Sequence, residues 1–308
     1  MKQTARNIFI VKPSRFGFNS ETATTNAFQH KEKSLVNTAH RKALEEFNRF
    51  ANTLREKEVN VTVFGDTEIP EKPDAVFPNN WITLHENGTA VLYPMQAANR
   101  RAERRPEILE ALKEIFDLKQ CIDLSDHENN NRFLEGTGSV VFDHIHRIAY
   151  ACLSPRTDLS LFRLLCRKLE YKAVPFHAYG SNGQAVYHTN VMMAIGKKFA
   201  TVCLDSIADD SERTGVCRQL QKSQRIILDI SKSQMCSFAG NMLELENKQG
   251  DPLLVLSQTA YDCLNPNQTT LLASCCELVP IAVPTIEAIG GGSVRCMIAE
   301  IFLPEKRQ

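Results

Sequence analysis

Residues 133–154, FLEGTGSVVFDHIHRIAYACLS, contain the pattern that decides the fold of this chain. An apolar run is followed by a turn of small residues and by a second apolar run, which together are typical of a strand pair. A helical pattern at residues 158–170 and a further strand at residues 172–177 complete the unit. The same succession recurs about every 55 residues, and a period of this length is typical of repeat arrays and propellers.

Five copies of this unit follow one another along the chain. Their centres lie about 51–55 residues apart, as expected when each repeat is one supersecondary unit. The fifth copy, at residues 293–303, is completed by an N-terminal strand, and this joining of the two termini would fasten the units into a ring. The five centres are Asn80, Glu135, Asn190, Asn241 and Cys296.

Polar residues recur at matching points of these units. In a ring of repeats the equivalent strand ends meet at the central axis, so we expect these side chains to converge. A cysteine, a histidine and a carboxylate that converge are the constellation of a thiol-nucleophile enzyme. The residues concerned are Asn79 with Asn80, Glu135 with Gly136, His188 with Asn190, and Cys296.

Hydrophobic periodicity and turn residues predict the remaining elements. Helices are predicted at residues 34–57, 101–116, 158–170, 209–222 and 267–275, the second one kinked or restarted at Pro106. Strand pairs are predicted at residues 75–93, 133–154, 186–205 and 242–257, and single strands at 8–13, 59–64, 172–177, 225–230 and 276–283. No segment resembles a linker, so a single α/β domain spanning residues 1–308 is expected.

Composition excludes several classes of protein. The 308 residues are 43% hydrophobic and 23% charged, which is ordinary for a soluble globular protein. The 36 basic and 36 acidic residues balance, so no electrostatic footprint points to nucleic acid. No apolar run approaches the roughly 18 residues of a membrane span. The short apolar run at residues 8–11 favours a first strand over a signal peptide.

Cysteine usage favours a reducing compartment. The ten cysteines are scattered, with no CxxC pair and no zinc-type spacing, and the sequence has no secretory signal. We therefore expect a cytoplasmic protein with reduced cysteines and no metal site. His144 and His146 are the alternative metal ligands, but they fall in what is predicted to be an exposed hairpin turn.

Three residues are candidates for chemistry, and each has a plain structural alternative. Cys296 follows a triple glycine at residues 290–292, which gives a mobile or tightly bent backbone and lets a ligand approach closely. It is also one of ten cysteines and would pack equally well as a buried apolar residue. His188 opens an apolar strand, where a structural histidine is common. Glu135 lies beside a buried strand, and buried carboxylates are rare unless they are paired.

Taken together, these motifs resemble the guanidino-group-modifying superfamily of arginine deiminases, dimethylarginine dimethylaminohydrolases and amidinotransferases. The resemblance covers nearly the whole chain and is greatest to the citrulline-utilization hydrolase branch. Its marks are FPNNW at 77–81, NRRAE at 99–103, FLEGTGS at 133–139, LSPRT at 153–157, HTN at 188–190 and the late Cys296.

The resemblance implies a five-bladed α/β propeller of pseudo-symmetric ββαβ repeats. It implies that Cys296 is the nucleophile, that His188 is the general acid and base, and that Glu135 orients the histidine. No metal and no organic cofactor is implied. The expected partner is a small amino-acid substrate, with no nucleic acid and no membrane, and homo-oligomerisation is left open.

The resemblance also implies binding residues for the substrate. Arg156 matches an arginine that clamps the α-carboxylate, and Arg100 falls where a second such arginine lies. Bidentate arginine–carboxylate pairing makes both roles chemically reasonable. Asp74 matches an acidic residue that contacts the substrate head group.

The chain departs from its relatives at three asparagines. Asn79 and Asn80 stand where relatives carry acids against the guanidinium, and Asn190 stands where several relatives have the aspartate of a His-x-Asp motif. A ureido group is neutral and offers both an acceptor and donors, which an asparagine amide matches. These positions predict citrulline as the substrate, hydrolysed to ornithine, ammonia and carbon dioxide.

Other functions remain open on the sequence. Asp74 could still hold a cation, which would favour arginine deiminase or dimethylarginine dimethylaminohydrolase activity. An amidinotransferase would pass the group to an amine instead of water. A non-catalytic, amino-acid-binding propeller is the alternative outside enzymes, but a pure binder has no need of a cysteine, a histidine and a carboxylate together.

Overall fold

The computed structural model describes residues 2–29 and 38–306, and it has a mixed α/β fold. The strands are β1 (Asn7–Lys12), β2 (Asn60–Gly65), β3 (Ile82–Leu84), β4 (Thr89–Leu92), β5 (Gln120–Asp123), β6 (Val141–Asp143), β7 (Ile148–Cys152), β8 (Lys172–Phe176), β9 (Met193–Ile195), β10 (Phe199–Val202), β11 (Ile226–Asp229), β12 (Leu243–Glu246), β13 (Pro252–Ser257), β14 (Glu277–Ile281) and β15 (Ala299–Ile301).

The α-helices of the described residues include five long ones and several single turns. They are α1 (Ser20–Ala23), α2 (Ala39–Glu56), α3 (Pro106–Ile115), α4 (Gly136–Ser139), α5 (Leu159–Leu169), α6 (Asp210–Lys222), α7 (Lys232–Cys236), α8 (Gln258–Cys263) and α9 (Pro266–Cys275). Short 3-10 segments lie at Pro78–Asn80, Ala98–Glu103, Ser125–Asn130, Thr189–Val191 and Leu204–Ser206, and a π-helical turn lies at Ile286–Gly290.

One pairing pattern recurs throughout the sheets. In each module a first strand pairs antiparallel with a second, and the second pairs parallel with a third that follows a helix. The modules are β3-β4-α3-β5, β6-β7-α5-β8, β9-β10-α6-β11, β12-β13-α9-β14 and β15-β1-α2-β2. The described residues therefore contain the predicted strand–strand–helix–strand succession five times.

The fifth module is assembled from both ends of the chain. Strand β15 pairs antiparallel with β1, with Asn7 opposite Ile301, and β1 pairs parallel with β2. Strand β15 also pairs with β3 through Ile301 and Leu84. This joins the first and fifth modules into one six-stranded sheet, whereas each of the other three modules is a separate three-stranded sheet. The predicted joining of the termini is confirmed.

Several helices begin where a side chain satisfies free backbone N–H groups. The Asp158 carboxylate accepts a hydrogen bond from Leu161 N at the start of α5. The Asp209 carboxylate does the same for the first turn of α6. Helix α3 begins at Pro106, after a separate 3-10 segment, so the predicted restart at this proline is confirmed.

The predicted strand at the start of residues 75–93 is wrong in its extent. Residues Pro78–Asn80 form a 3-10 turn, and only Ile82–Leu84 are extended before the Gly88 turn. Pro78 occupies the first position of that turn, where its fixed φ favours a helical start. The predicted helix at residues 34–57 is observed from Ala39, and residues 34–37 lie outside the described residues.

Helix α2 shows how a module buries its apolar face. Ala43, Phe47 and Leu54 are buried on one side of the helix, as the periodicity predicts. They join the core cluster that also contains Ile8 of β1 and Cys296. Packing of α2 against β1 within the fifth module therefore supports the segment that carries Cys296. In residues 2–29 and 38–306, no helix has the length and apolar character needed to cross a bilayer.

We expect Ile8→Ala to destabilise the fold by about 2–5 kcal/mol, because truncating a fully buried side chain leaves a cavity. Ile8 is 0% exposed on β1, the strand that joins the termini. The matched control is Ile226→Ala on β11, where the side chain is 48% exposed, and its cost should be about 0.5 kcal/mol or less. Urea unfolding measures both, and equal effects would contradict the importance assigned to β1.

Candidate active site

The turns that precede the first strands of the modules carry the candidate site residues. Glu135 immediately precedes α4, and His188 immediately precedes the turn at Thr189–Val191. Gly136 has φ +45°, and a Cβ there would lie 2.2 Å from the Asn79 carbonyl oxygen, so only glycine fits. The turn that contains Gly136 is therefore packed directly against the backbone of the turn that contains Asn79.

These turns surround a small, narrow pocket. Six of the predicted site residues line it, namely Asp74, Asn80, Arg100, Arg156, His188 and Cys296. The other lining residues are Thr22, Asn26, Phe77, Tyr187 and Gly290 to Gly292. Glu135, Asn79 and Asn190 do not line the pocket, although Glu135 contacts His188 and Asn190 contacts Cys296. The structure thus brings the predicted set together with three members behind the pocket wall.

His188 and Glu135 form a buried pair. The His188 Nε2 atom lies 2.8 Å from Glu135 Oε2, and the two residues are 3% and 0% exposed. Burial raises the pKa of Glu135, but the charges of Arg156 and Arg100 and the hydrogen bond from His188 outweigh it and lower that pKa to about 2. An ionised carboxylate only accepts hydrogen bonds, so Nε2 carries the proton and Nδ1 is the free base.

The imidazole of His188 is neutral in the free protein. Burial lowers its pKa to about 4, and Arg156 and Arg100 act in the same direction. The hydrogen bond and charge of Glu135 oppose this shift without overcoming it. A neutral ring with a free Nδ1 can accept a proton at neutral pH, and Glu135 would stabilise the cation that results.

Gly138 lets the histidine and an asparagine approach each other. A Cβ at Gly138 would lie 2.4 Å from Asn80 Nδ2 and 2.7 Å from His188 Nδ1. Real Cβ atoms essentially never approach another atom that closely, so a side chain here would displace both groups. The small residues of the FLEGTGS stretch are therefore needed for the geometry of the site.

Cys296 is held in a closed turn, with its backbone N–H donating to the Ser293 carbonyl oxygen at 2.9 Å. Its side chain is 3% exposed. Two amide groups donate to the sulfur, Asn190 Nδ2 at 3.4 Å and Asn241 Nδ2 at 3.2 Å. Asn241 was identified only as the centre of the fourth repeat, and sequence reasoning gave it no role in the site.

Arg100 is almost fully occupied by protein partners. Its Nε and Nη2 atoms donate to the two carboxylate oxygens of Glu103 at 2.8 and 2.9 Å. Its Nη1 donates to Asn80 Oδ1 at 3.0 Å, and Nη2 also reaches the Phe77 carbonyl oxygen at 3.4 Å. A guanidinium has five N–H groups, so these bonds leave one on Nη1. Asp74 Oδ2 lies 3.7 Å from Arg100 Nε.

Arg156 keeps more of its donors available. Its Nε and Nη2 donate to Thr25 Oγ1 and to the Thr22 carbonyl oxygen, and its guanidinium lies 5.0 Å from the centre of the Tyr187 ring. Nη1 is 3.6 Å from Glu135 Oε2. Within the described residues Nη1 makes no hydrogen bond, so both of its N–H groups can donate to a ligand.

Four buried polar atoms around the pocket lack a partner among the described residues. They are Asp74 Oδ1, Asn79 Oδ1, Asn80 Nδ2 and Asn190 Oδ1. Burial raises the pKa of Asp74, while Arg100 and Asn19 oppose that shift. Leaving a buried polar group unpaired costs about 1–3 kcal/mol. A ligand or a water molecule that pairs these atoms would recover that cost, and of the four residues Asp74 and Asn80 line the pocket.

The N-terminal segment covers the pocket and was missed in the sequence. Asn19 Nδ2 donates to Asp74 Oδ2 at 2.7 Å. Asn26 Nδ2 reaches the carbonyl oxygens of Gly290 and Gly291 at 3.4 and 3.3 Å, and Tyr187 Oη donates to Gly291 O at 2.7 Å. Gly291 has φ +66°. The glycine run is thus a tightly bent segment that these contacts tie down.

The histidines of the β6–β7 turn have other partners. His144 Nδ1 lies 2.7 Å from Tyr171 Oη, and its ring stacks on Phe142. His146 contacts the Asp143 carboxylate at 2.9 Å. His144 is 7% exposed, so the expectation of an exposed turn was wrong for this residue. No cluster of three or more metal-ligating side chains is present in the described parts of the chain.

The fold and the pocket together define a class of protein. A buried cysteine that shares a pocket with a histidine–carboxylate pair and two arginines is the arrangement of an enzyme that uses a thiol on a small anionic or zwitterionic ligand.

A family model narrows the class. The model described as N,N dimethylarginine dimethylhydrolase, eukaryotic, matches residues 12–303, so the chain belongs to that family. The resemblance to the guanidino-group-modifying superfamily is confirmed, and the chain is a member of a family of C–N hydrolases. Its assignment to the citrulline-utilization branch stays a prediction. No curated protein sequence is significantly similar to this chain.

Solved structures share the fold at low sequence identity. The apo form of ArgZ, an arginine dihydrolase from the ornithine-ammonia cycle in cyanobacteria, has a TM-score of 0.75 and 16% identity, covering 97% of this chain and 41% of ArgZ. A cysteine-to-serine variant of the ArgZ N-terminal domain, bound to substrate, has the same score and identity, with 97% and 98% covered. A dimethylarginine dimethylaminohydrolase adduct has a TM-score of 0.66 and 15% identity, with 96% and 100% covered.

We expect His188 to make the fold sensitive to acid. Because its pKa is lowered from 6.5 to about 4, the unfolded chain binds a proton that the folded protein does not. Stability is therefore lost as pH falls from 6.5 to about 4, by about 3 kcal/mol for this residue. Urea unfolding at several pH values measures the loss.

The variant His188→Gln isolates this contribution. Glutamine can still donate to Glu135 but does not titrate, so the variant should lose about 3 kcal/mol less than wild type over the same pH range. His85 and His144, whose pKa values burial also lowers, remain in both proteins and cancel in the comparison. Parallel stability curves would contradict a buried, neutral His188.

Proposed function

We propose that this enzyme hydrolyses the ureido group of citrulline, giving ornithine, ammonia and carbon dioxide. The observation that supports this choice of substrate is the orientation of the Asn80 amide. Arg100 can only donate hydrogen bonds, so the atom it contacts at 3.0 Å must be Asn80 Oδ1. Asn80 therefore presents Nδ2, a donor with no acceptor among the described residues.

A donor at this point favours a ureido group over a guanidinium. The ureido oxygen is an acceptor that Asn80 Nδ2 can bind, whereas a guanidinium carries only N–H donors. With arginine the buried Asn80 N–H group would stay unpaired or face another donor, at a cost of about 1–3 kcal/mol. With citrulline it gains a partner.

The remaining unpaired atoms suit the N–H groups of the same substrate. Asp74 Oδ1 is a buried acceptor of a residue that lines the pocket. Asn190 Oδ1 is a second buried acceptor, behind the pocket wall and on the amide whose Nδ2 contacts Cys296. The donor of Asn80 and the acceptor of Asp74 together match a group that carries both an oxygen and N–H groups.

Arg156 is the residue that we propose for the α-carboxylate of the substrate. Arg156 lines the pocket, and the two N–H groups on its Nη1 make no hydrogen bond within the described residues, so they would give charge-assisted hydrogen bonds to that carboxylate. Arg100 has one N–H left, so we assign it chiefly to orienting Asn80. Asn79 lies behind the pocket wall, where its Nδ2 reaches Thr137 Oγ1 at 3.3 Å, so we assign it to shaping the Asn80 turn.

In the first step the Cys296 sulfur forms a bond to the ureido carbon. The thiol proton passes to Nδ1 of His188, and Glu135 stabilises the imidazolium that results. His188 then gives the proton to the δ-nitrogen of citrulline as the C–N bond breaks. Ornithine leaves, and an S-carbamoyl cysteine remains on the enzyme.

In the second step water hydrolyses the S-carbamoyl enzyme. His188 accepts a proton from the water as its oxygen bonds to the carbonyl carbon, and the proton returns to the sulfur as the C–S bond breaks. Carbamic acid leaves and decomposes to ammonia and carbon dioxide. The sum is citrulline plus water giving ornithine, ammonia and carbon dioxide.

Arginine is the second candidate substrate, and one observation favours it. Asp74 is a buried carboxylate with a free oxygen, and a carboxylate is a better partner for a cation than for a neutral group. The structural neighbours include an arginine dihydrolase and an AgrE variant in complex with L-arginine. Arg100 lies 3.7 Å from Asp74 and already compensates its charge, which weakens this alternative.

The strand pairing and the cysteines support two further proposals, one on the architecture and one on the compartment. We propose that the five modules are the blades of a closed propeller, because one strand pairing recurs five times and β15 joins the fifth module to the first. A crystal structure with an open row of modules would contradict closure.

Ten free cysteines, several of them buried, fit a reducing, cytoplasmic compartment.

We expect purified protein to release ornithine and ammonia from citrulline, and to do so faster than it acts on arginine or dimethylarginine. Supplying each substrate separately and measuring ammonia and the amino-acid product checks this. Cys296→Ala should remove turnover without unfolding the protein, and activity retained in that variant would contradict the mechanism. If the enzyme instead formed citrulline from arginine at the higher rate, the preferred substrate would be determined by Asp74 and not by Asn80.

The Asn80 argument has its own test within the same assay. Asn80→Asp replaces the free donor with an acceptor, so the ratio of kcat/KM for citrulline to that for arginine should fall by at least about tenfold. Asn79→Asp is the matched control, since its side chain does not line the pocket, and its effect on the ratio should be smaller.

Arg156→Lys should lower kcat/KM for citrulline by about tenfold or more, because lysine cannot make the paired bonds of a guanidinium. Arg156 also lies near Glu135, so the variant could slow chemistry for an unrelated reason. A citrulline analogue lacking the α-carboxylate separates the two effects. Wild type and Arg156→Lys should differ far less with the analogue, and an equal loss with both compounds would refute the assignment.

A further inference from the structure

The centre of the fourth module has no part in the mechanism described so far. Asn241 is 0% exposed and lies just before β12, at the point equivalent to Asn80, Asn190 and Cys296 in the other modules. Its Nδ2 atom lies 3.2 Å from Cys296 Sγ and 3.0 Å from the Asn190 carbonyl oxygen. An amide nitrogen carries two hydrogens, so each of these acceptors receives one.

The orientation of the Asn241 amide is fixed by its other partner. The carbonyl oxygen of Asn190 only accepts hydrogen bonds, so the atom beside it must be Nδ2 and not Oδ1. That same nitrogen faces the sulfur. Oδ1 lies 3.7 Å from Sγ and can accept from the thiol only while the thiol keeps its proton.

The backbone holds Asn241 in this position. Its N–H donates to the Phe238 carbonyl oxygen at 2.8 Å. Gly240 lies against the turn of the third module, where a Cβ would be 2.4 Å from the Val191 carbonyl oxygen. The fourth module therefore presses on the third at this point, and the Asn241 amide projects toward the sulfur from a fixed base.

We propose that Asn241, together with Asn190, forms a two-donor cradle that stabilises the thiolate of Cys296 and fixes its direction of attack. The two amides approach the same sulfur from different modules, at 3.2 and 3.4 Å. Hydrogen bonds to an ionised acceptor are roughly twice as strong as those to a neutral one, so both favour the thiolate over the thiol. This inference rests on the proposed role of Cys296 as the nucleophile.

The two amides of the cradle donate hydrogen bonds to the sulfur, which the other polar side chains that the structure describes around the pocket do not. The charged and titratable side chains that share the pocket with Cys296 are Asp74, Arg100, Arg156, Tyr187 and His188. Arg100 is hydrogen-bonded to Glu103, and Nη1 of Arg156 lies 3.6 Å from Glu135 Oε2 without a hydrogen bond. Among the described residues neither arginine donates a hydrogen bond to the sulfur, so the two amides are its side-chain donors.

The test is the pH dependence with which iodoacetamide alkylates Cys296, followed by mass spectrometry of the peptide that contains it. Cys236 is exposed and serves as a reference thiol on the same molecules. Asn241→Ala removes the donor, and Asn241→Leu removes it while nearly keeping the side-chain volume. In both variants the pH of half-maximal alkylation should rise by about one unit, a tenfold change in the ionisation equilibrium.

A control variant separates stabilisation from access. Asn26→Ala loosens the glycine segment over the pocket without touching the sulfur. It should change the rate of alkylation at every pH but leave the half-maximal pH of Cys296 unchanged. If Asn241 had only a structural role, its variants would likewise change the rate of alkylation and leave the half-maximal pH unchanged.

The outcomes distinguish this inference from the proposed function. If either Asn241 variant folds, as judged by urea unfolding, and retains the wild-type half-maximal pH, the cradle is refuted while Cys296 can still be the nucleophile. If Cys296 in wild type is alkylated no faster than Cys236 at any pH and citrulline is not consumed, the proposed function is overturned and the cradle with it. A shift in both Asn241 variants and none in Asn26→Ala supports the cradle.

Discussion

The antiparallel pairing of β1 with β15, in which Asn7 lies opposite Ile301, is the constraint on which the site depends. Cys296 lies three residues before the start of β15 and belongs to a module whose second and third strands come from the N-terminal part of the chain. The segment that follows β1 covers the pocket through Asn19, Thr22 and Asn26. The positions of Cys296 and of the pocket cover therefore depend on the same strand pairing.

Burial gives each polar group of the site a defined state. Glu135 is ionised because two arginines and a histidine outweigh the cost of burying its charge, and His188 is neutral because burial outweighs the attraction of Glu135. Arg100 fixes the orientation of Asn80 because a guanidinium cannot accept a hydrogen bond. The unpaired donor of Asn80 and the unpaired acceptor of Asp74 are the observations that support the proposed ureido substrate.

Much of this arrangement could be predicted from the sequence, because it follows from a repeat. The position of each module centre and the convergence of Glu135, His188 and Cys296 required only the period and the rule that equivalent strand ends meet. Other features had no such signal. Asn19 and Thr22 lie outside the repeat. Arg100 pairs with Glu103 because both lie on one 3-10 segment, and the repeat pattern did not indicate that pairing. The apolar run before Ile82 suited a strand as well as a turn, and packing decided between them.

The covalent intermediate is the most direct test of the account. Citrulline labelled at the ureido carbon would be mixed with the enzyme, quenched in acid within a turnover, and the protein digested and mapped. The account predicts label on the peptide that contains Cys296, with ornithine already released, and no label in Cys296→Ala. Turnover of citrulline without label on any peptide, or with label on a different residue, would contradict it.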